Sequence, residues 1–319
     1  MILLCFAMFS PVDLNANEAK KYAIIIAVGE YPSESGWTKI NSANDVQLIK
    51  TTLIKQNFTE DHIKVLIDNQ ATKQNIIKAF RDLSNMLRMG DIVFFHYSGH
   101  GQQIMDDNGD ELDGFDEALI PFDAAMVYEK SKSVNEKHLR DDLLGLLLDK
   151  IRLKIGPKGD LIVVLDACHS GTATRNFGIS RGTELKFAPS EYQPPNVINH
   201  SSSTGFNETV HNSSLSPIVI FSGSSASEQN YEYVHNQISY GSLSFALCSV
   251  LSQNNETISY RSLFAKVQAL MRTIVPRQSP QLEGDADRTL FAGMPVVHQE
   301  YFLVKSWRDP QHVIIHAGI

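Results

Sequence analysis

Cysteine is scarce: the 319 residues contain three, Cys5, Cys168 and Cys248, in unrelated contexts and without the paired spacing of metal ligands. A disulfide scaffold and a zinc knuckle are therefore not expected. The chain also lacks any Lys/Arg-rich run, and its 28 basic residues stand against 36 acidic ones, for a formal charge of −8. The positive field that a phosphate polymer requires is missing, so no nucleic-acid partner is expected. No apolar run reaches the roughly 20 residues of a membrane helix, and no internal repeat is visible. What remains is a chain with 43% hydrophobic residues, enough to bury a sizeable core, which excludes disordered, collagen-like and coiled-coil classes.

The first apolar run, Met1 to Phe9, is followed by Ser10, Pro11 and the small Ala16. This predicts a leader over residues 1–17, read as a secretory signal peptide without its basic start rather than as a buried strand. Export to the periplasm or medium follows if the leader acts; otherwise the chain stays in the cytoplasm. At the other end His312 to Ile319 is apolar and β-branched without a polar tail. Residues 297–319 are read as an extension, the start of a further domain in a longer chain.

Between these ends short β-branched runs alternate with helix-period segments. Tyr22–Val28, Val65–Ile67, Ile92–Tyr97, Leu161–Leu165 and Ile218–Phe221 read as buried strands. Asn44–Gln56, Thr72–Leu87, Arg140–Lys150, Ser242–Leu251 and Tyr260–Val275 read as helices, several opened by a Ser, Thr or Asn cap. That order predicts an α/β domain over 20–296, with a mostly parallel sheet, helices on both faces and the ligand site beyond the carboxyl ends of the strands. The stretch 172–217 is rich in Gly, Ser, Asn and Pro and has little periodicity, so it reads as an exposed linker between a large part (20–171) and a small part (218–296). It carries Arg175, Arg181 and Lys186, three candidate cutting sites for a protease that prefers basic residues.

Two of the predicted strands end in reactive residues. Ser98-Gly99-His100-Gly101 follows one; Asp166-Ala167-Cys168-His169-Ser170-Gly171 follows the other. A free thiol with its ordinary pKa of ~8.5 is mostly protonated at neutral pH, and a nearby imidazole can take its proton and later return it to a leaving amine. Cys168 is the candidate nucleophile and His100 the candidate base. His169 is the weaker base, because adjacent residues at a strand end project in different directions. Packing is the competing reading for a lone Cys or His; Cys248, inside an apolar helix, takes it.

With these blocks in view, the sequence resembles the metacaspase branch of the caspase-like cysteine peptidases. The matching stretches are Tyr97–Gln102, Asp113–Glu117 with Pro121 and Asp123, Asp166–Gly171, Ser222–Glu232, and Tyr240-Gly241-Ser242. The resemblance runs from about Lys21 to Pro295. It implies a caspase-like three-layer sandwich and an oxyanion hole built from the backbone N–H groups of Cys168 and Gly101. It also implies a first specificity pocket (S1) at Asp45, Ser98 and Asp166, which favours protein or peptide substrates with Arg or Lys before the scissile bond (P1). Ser42 departs from the pattern, since many relatives carry cysteine there. Asp45 has a competing reading as a first-turn helix acid. Self-cleavage in the linker and a monomeric state complete the expectation.

No cofactor is required for this chemistry, and calcium is a separate matter. The segment Asp106 to Glu117 concentrates carboxylates, which suit a hard cation, but Glu111 stands where an EF-hand needs glycine. The resemblance carries a calcium site onto Asp116, Asp141 and Asp142, while Arg175 occupies the place of a further acid. A solvated acidic loop is the alternative. Zinc held by His96, His100, His169 and Cys168 is a remoter option, because it would leave those groups no room for proteolysis. Two other functions compete: a legumain-like peptidase with different P1 specificity, and a non-catalytic scaffold that has kept the fold.

Overall fold

The computed structural model describes residues 19–130, 136–168, 179–194, 213–225, 228–253, 257–296, 303–309 and 312–316. In chain order the strands are β1 (Lys21–Ala27), β2 (Ile63–Ile67), β3 (Ile92–Ser98), β4 (Gly101–Met105), β5 (Phe115–Leu119), β6 (Leu139–Arg140), β7 (Asp160–Asp166), β8 (Ile218–Ser222), β9 (Glu232–His235), β10 (Ile238–Gly241), β11 (Gln281–Gly284), β12 (Leu303–Asp309) and β13 (His312–His316). The helices are α1 (Ala43–Lys55), α2 (Lys73–Met86), α3 (Asp141–Ile155), α4 (Ser242–Gln253) and α5 (Tyr260–Ile274). None of them is long and apolar enough to cross a membrane.

Six strands form the main sheet in the order β11-β8-β7-β3-β1-β2, all parallel except β11, which runs antiparallel to β8. Every residue of β3 and β7 is buried, as expected of central strands covered on both sides. The period-two alternation of side chains sorts each strand between two cores. Ile24, Ile26, Val93, Phe95, Val163 and Leu165 pack with Ile76, Phe80 and Leu83 of α2 and with Leu144, Leu148 and Ile151 of α3. Ile25, Phe94, Ile162, Val164, Val219 and Phe221 face the other way, against Ile49 and Leu53 of α1, Leu247 of α4 and Val267 of α5. Each such large apolar side chain contributes about 1.5–3 kcal/mol when fully buried. This is the three-layer α/β sandwich expected from the sequence. Thr72 caps α2 through Asn75 N–H (3.2 Å) and Ser259 caps α5 through Ser262 N–H (3.1 Å).

Several strands were not expected from the sequence. β4, β5 and β6 form a small antiparallel sheet, β9 and β10 a hairpin, and β12 and β13 a second hairpin within the segment read as an extension.

The larger correction concerns the linker. Residues 179–194 are not a simple exposed connection: Arg181 is completely buried and Phe187 nearly so. The cause is backbone pairing. Arg181 N–H donates to Asn230 O (2.8 Å) and Glu232 N–H to Ile179 O (3.0 Å), so the chain lies antiparallel to the start of β9. Beyond Arg181 it runs parallel to β4, with Phe187 N–H donating to Gln103 O (2.9 Å) and Met105 N–H to Phe187 O (3.1 Å). Pairing of this kind satisfies polar backbone without any hydrophobic periodicity, the signal on which the exposed reading relied.

Candidate active site

The parallel register of β3 and β7 sets Ser98 beside Asp166. Two residues beyond each, the chains carry His100 and Cys168 out of adjacent strands at the carboxyl edge of the sheet. Both are shut off from solvent, at 1% and 2% exposure, and the segment around Arg181 lies against Cys168. The carbonyl oxygen of Arg181 accepts from Cys168 N–H at 2.9 Å and from Gly101 N–H at 3.3 Å. The next residue, Gly182, stands against the thiol: a Cβ there would come within 2.6 Å of Cys168 Cβ, so no other residue fits without displacement.

The imidazole of His100 is held on three sides. It stacks on Trp37 (centroids 4.8 Å, planes 23° apart), lies 5.4 Å from the Tyr31 ring, and donates from Nε2 to Thr38 O at 2.9 Å. Because a carbonyl can only accept, Nε2 carries the hydrogen and the neutral ring keeps a lone pair at Nδ1. That Nδ1 is buried and has no hydrogen-bond partner. Burial lowers the His100 pKa to about 4, so the ring is neutral at pH 7. Its backbone is pinned as well, by Tyr97 Oη donating to His100 O (2.8 Å) and by His100 N–H donating to Tyr31 Oη (3.3 Å).

Cys168 Sγ receives the N–H of Asn230. Burial first, then the nearby Asp166, push its pKa up to about 11 despite that bond. Under its cover the thiol is therefore protonated.

The Arg181 side chain enters a closed acidic pocket. Nη1 donates to Ser98 Oγ (2.5 Å) and Asp45 Oδ2 (3.0 Å), and Nη2 donates to Glu232 Oε1 (3.3 Å). Burial works against the guanidinium charge, but Asp45, Asp166 and Glu232 outweigh it and hold the proton more firmly than usual. Asp45, in the first turn of α1, is fixed by Ser98 Oγ (2.6 Å) and Gly241 N–H (2.9 Å), so its carboxylate faces the pocket rather than capping its own helix. Burial raises its pKa, Arg181 pulls it down and Asp166 raises it again, leaving it at about 6. Gly241 has to be small, since a Cβ would run into the Asp166 carboxylate and the guanidinium.

The three residues expected to line S1 are not equivalent. The side chains of Asp45 and Ser98 touch the guanidinium, whereas Asp166 meets it only through its backbone O, 3.5 Å from Nη1; its carboxylate stands 3.9 Å away and is engaged elsewhere. Its Oδ2 accepts from Ser244 N–H and Oγ at the start of α4, both at 2.7 Å, and its Oδ1 accepts from Asn230 Nδ2 at 2.7 Å. Trp37, Thr38, Asn230 and Glu232 are the contributors that the sequence reading missed. Only the match over Ser222–Glu232 pointed towards the last two.

Of the other expected residues, Lys186 is exposed, with Nζ 3.6 Å from the centroid of the Phe115 ring, while Arg175 and His169 lie outside the described residues. His96 bonds Ser244 Oγ at 2.8 Å, and burial lowers its pKa to about 4. Among the described residues the groups able to gather round a metal ion are carboxylates, with no His or Cys. Asp107, Asp116 and Asp142 can bring oxygens within 4.8 Å of one another, as can Asp106, Asp110 and Asp116; Asp141 belongs to neither set. Burial, and then its acidic neighbours Glu117 and Asp116, raise Asp141 to about 8. The donor set suits a hard cation, although Arg140 pairs with Asp116 and lies 3.4 Å from Asp107.

The fold and the motifs agree with known proteins. The caspase domain profile matches residues 20–291. Metacaspase-1 of Mycosarcoma maydis is 25% identical over 303 residues, covering 85% of this chain and 71% of that protein. Metacaspase-1 of Eremothecium gossypii is 27% identical over 278 residues, covering 75% and 58%. Metacaspase-2 of Arabidopsis thaliana is 37% identical over 160 residues, covering 48% and 35%. The chain thus spans between about one third and seven tenths of the length of these relatives. Among solved structures, caspase-1 from Spodoptera frugiperda superposes with a TM-score of 0.54 at 14% identity, covering 92% of this chain and all of that one. A protein from Geobacter sulfurreducens gives 0.58 at 23%, covering 83% and 93%. With most of its length matched by that domain and metacaspases among its relatives, the chain belongs to the caspase-domain family of cysteine endopeptidases.

Proposed function

We propose that this protein hydrolyses peptide bonds after Arg or Lys, with Cys168 as nucleophile and His100 as proton carrier, and that its first substrate is its own Arg181–Gly182 bond. The observation that carries the proposal is the seat of Arg181: its carbonyl oxygen meets two backbone N–H groups while its side chain meets a carboxylate and a hydroxyl.

The reaction is acyl transfer. Cys168 gives its proton to His100 Nδ1 as Sγ bonds to the Arg181 carbonyl carbon. The oxygen becomes an oxyanion between Cys168 N–H and Gly101 N–H, donors typically worth ~3 kcal/mol each. His100 then returns the proton to Gly182 N as the C–N bond breaks, and water releases the acid from the thioester. An aspartate at P1 would face carboxylates and be rejected; an asparagine would leave them without a cation. Calcium, held by Asp116 and Asp142, would act as a ligand of the acidic loop and take no part in the chemistry.

Replacing Cys168 with Ala should abolish hydrolysis of Arg- and Lys-terminated fluorogenic peptides and leave the precursor intact. Retained hydrolysis in that variant would refute the assignment.

A further inference from the structure

We infer that the outer edge of β4 and the apolar pocket beside it bind the leaving side of a substrate and select an aromatic residue at the sixth position after the scissile bond; the inference rests on the proposed cleavage after Arg181. β4 is the outer strand of the small β4-β5-β6 sheet, and the chain beyond Gly182 lies along it as an added strand. Phe187 N–H donates to Gln103 O (2.9 Å) and Met105 N–H to Phe187 O (3.1 Å). A further bond comes from a buried side chain. Gln102 Nε2 donates to Leu185 O (2.7 Å) and to Met126 O (2.8 Å), and its Oε1 accepts from His138 Nε2 (3.0 Å), so the amide is locked with one donor aimed at the segment. Gln102 and His138 are both completely buried. Strand addition of this kind gives affinity through the backbone and leaves the choice of sequence to side-chain pockets.

One side chain of the segment enters such a pocket. Phe187 is 5% exposed and packs with Ile104 and Ala118, its ring centroid 4.2 Å from that of His138 and 5.5 Å from that of Tyr128. Glu184, Leu185 and Lys186 are exposed, Leu185 at 52%, so apolar character alone does not decide which residue is buried. Register does. Between the bridges Gly101–Gly182 and Ile104–Phe187, β4 advances three residues and the segment five. The two extra residues are taken up in a turn at Thr183, whose Oγ1 accepts from Leu185 N–H (3.1 Å). With the Arg181 carbonyl fixed at Cys168 N–H and Gly101 N–H, the pocket meets the sixth residue beyond the bond. An aromatic side chain suits it because two rings line it at contact distance.

The test uses processed Phe187→Ala enzyme, which no longer fills the pocket with its own ring, and quenched-fluorescence peptides with the sequence of residues 179–188. One peptide carries Phe at the sixth position after Arg, one carries Ala there, and one has the Lys and Phe exchanged so that the ring comes a position early. The native-order peptide should exceed both others about 10-fold in kcat/KM, and adding Tyr128→Ala to the enzyme should cut that ratio to less than about 3-fold. Because each ratio compares peptides on one enzyme, any misfolded fraction cancels. Equal kcat/KM for the three peptides, or a ratio unmoved by Tyr128→Ala, overturns the inference. If Phe187→Ala does not fold, Phe187→Leu keeps an apolar filler without the ring and serves in the same comparison; equal rates there overturn it too. Hydrolysis of a short fluorogenic substrate ending in Arg separates the two failures. Where that substrate is cleaved, equal peptide rates overturn this inference alone; where it is not, the basic-P1 reading falls and this inference with it.

Discussion

Arg181 Nη1 lies 3.0 Å from Asp45 Oδ2, and neither side chain has any exposure to solvent. A buried ion pair is a weak source of net stability, but losing one partner strands a buried charge at a cost of about 3–5 kcal/mol. The pair therefore acts as a latch that decides where the linker sits.

Arg181→Gln should accordingly unseat the segment and stop self-cleavage, while Lys186→Gln, altered at an exposed side chain, should process normally. N-terminal sequencing of the smaller wild-type fragment should begin at Gly182. A fragment beginning at Phe187, or normal cutting of the Arg181 variant, would show that the seated bond is not the one cut.

Gly182→Val places a branched side chain where even a Cβ would approach Cys168 Cβ to 2.6 Å. Displacing the scissile bond by about 1 Å costs on the order of 100-fold in rate. The time course of precursor loss on a gel should slow by that order, and an unchanged time course would argue against this geometry.

The covered thiol has its pKa raised by burial to about 11, above the ordinary value of ~8.5. Only the thiolate reacts with iodoacetamide, so in the slowly cleaved Gly182→Val precursor, labelling of Cys168 should be slow at pH 8 and climb as pH rises towards 11. Arg181→Gln, with the cover loosened, should label faster at pH 8 and reach its plateau at lower pH. Equal rates in the two proteins, read by mass spectrometry, would contradict the covering role.

Trp37→Ala should act through His100. Trp37 stacks on the ring and helps to keep water from it, and burial is what lowers the pKa to about 4. Opening that face moves the pKa up towards 6.5, so the base is protonated at higher pH. The acid limb of kcat/KM against pH should shift upward, while protonation lowers kcat at pH 7 by less than about 2-fold, because a pKa of ~6.5 leaves most of the ring neutral there. A variant with reduced kcat but an unmoved acid limb would leave Trp37 only a packing role.

Calcium dependence has its own check. If the carboxylates of Asp116 and Asp142 hold calcium, a chelator should lower peptidase activity of the wild type, and Asp142→Asn should weaken the calcium response without changing P1 preference. Activity indifferent to chelator would leave the cluster as a solvated loop tied by Arg140.

The five central strands, the helices between them and the strand-end positions of His100 and Cys168 were legible in the linear chain. Their signals are local: short continuous runs of apolar, β-branched residues, helix-period stretches, and glycines flanking a reactive residue. The edge strand β11 and the sheet β4-β5-β6 were not, because short, polar, partly exposed strands owe their existence to a neighbour and not to their own composition.

The candidate site divides along the same line. Asp45, Ser98 and Asp166 were identifiable from motifs, but spacing could not reveal that Asp166 is drawn aside by Ser244 and Asn230 and that Glu232 takes its place at the guanidinium. Nor could it choose among Arg175, Arg181 and Lys186, which look alike in a loop without periodicity. Folding made Arg181 distinctive by pairing its backbone with Asn230 and enclosing its charge among acids from α1 and β9. Pattern along a chain records which face of an element is buried; which charges meet across the molecule depends on contacts between residues far apart in sequence, and those exist only once the chain has closed on itself.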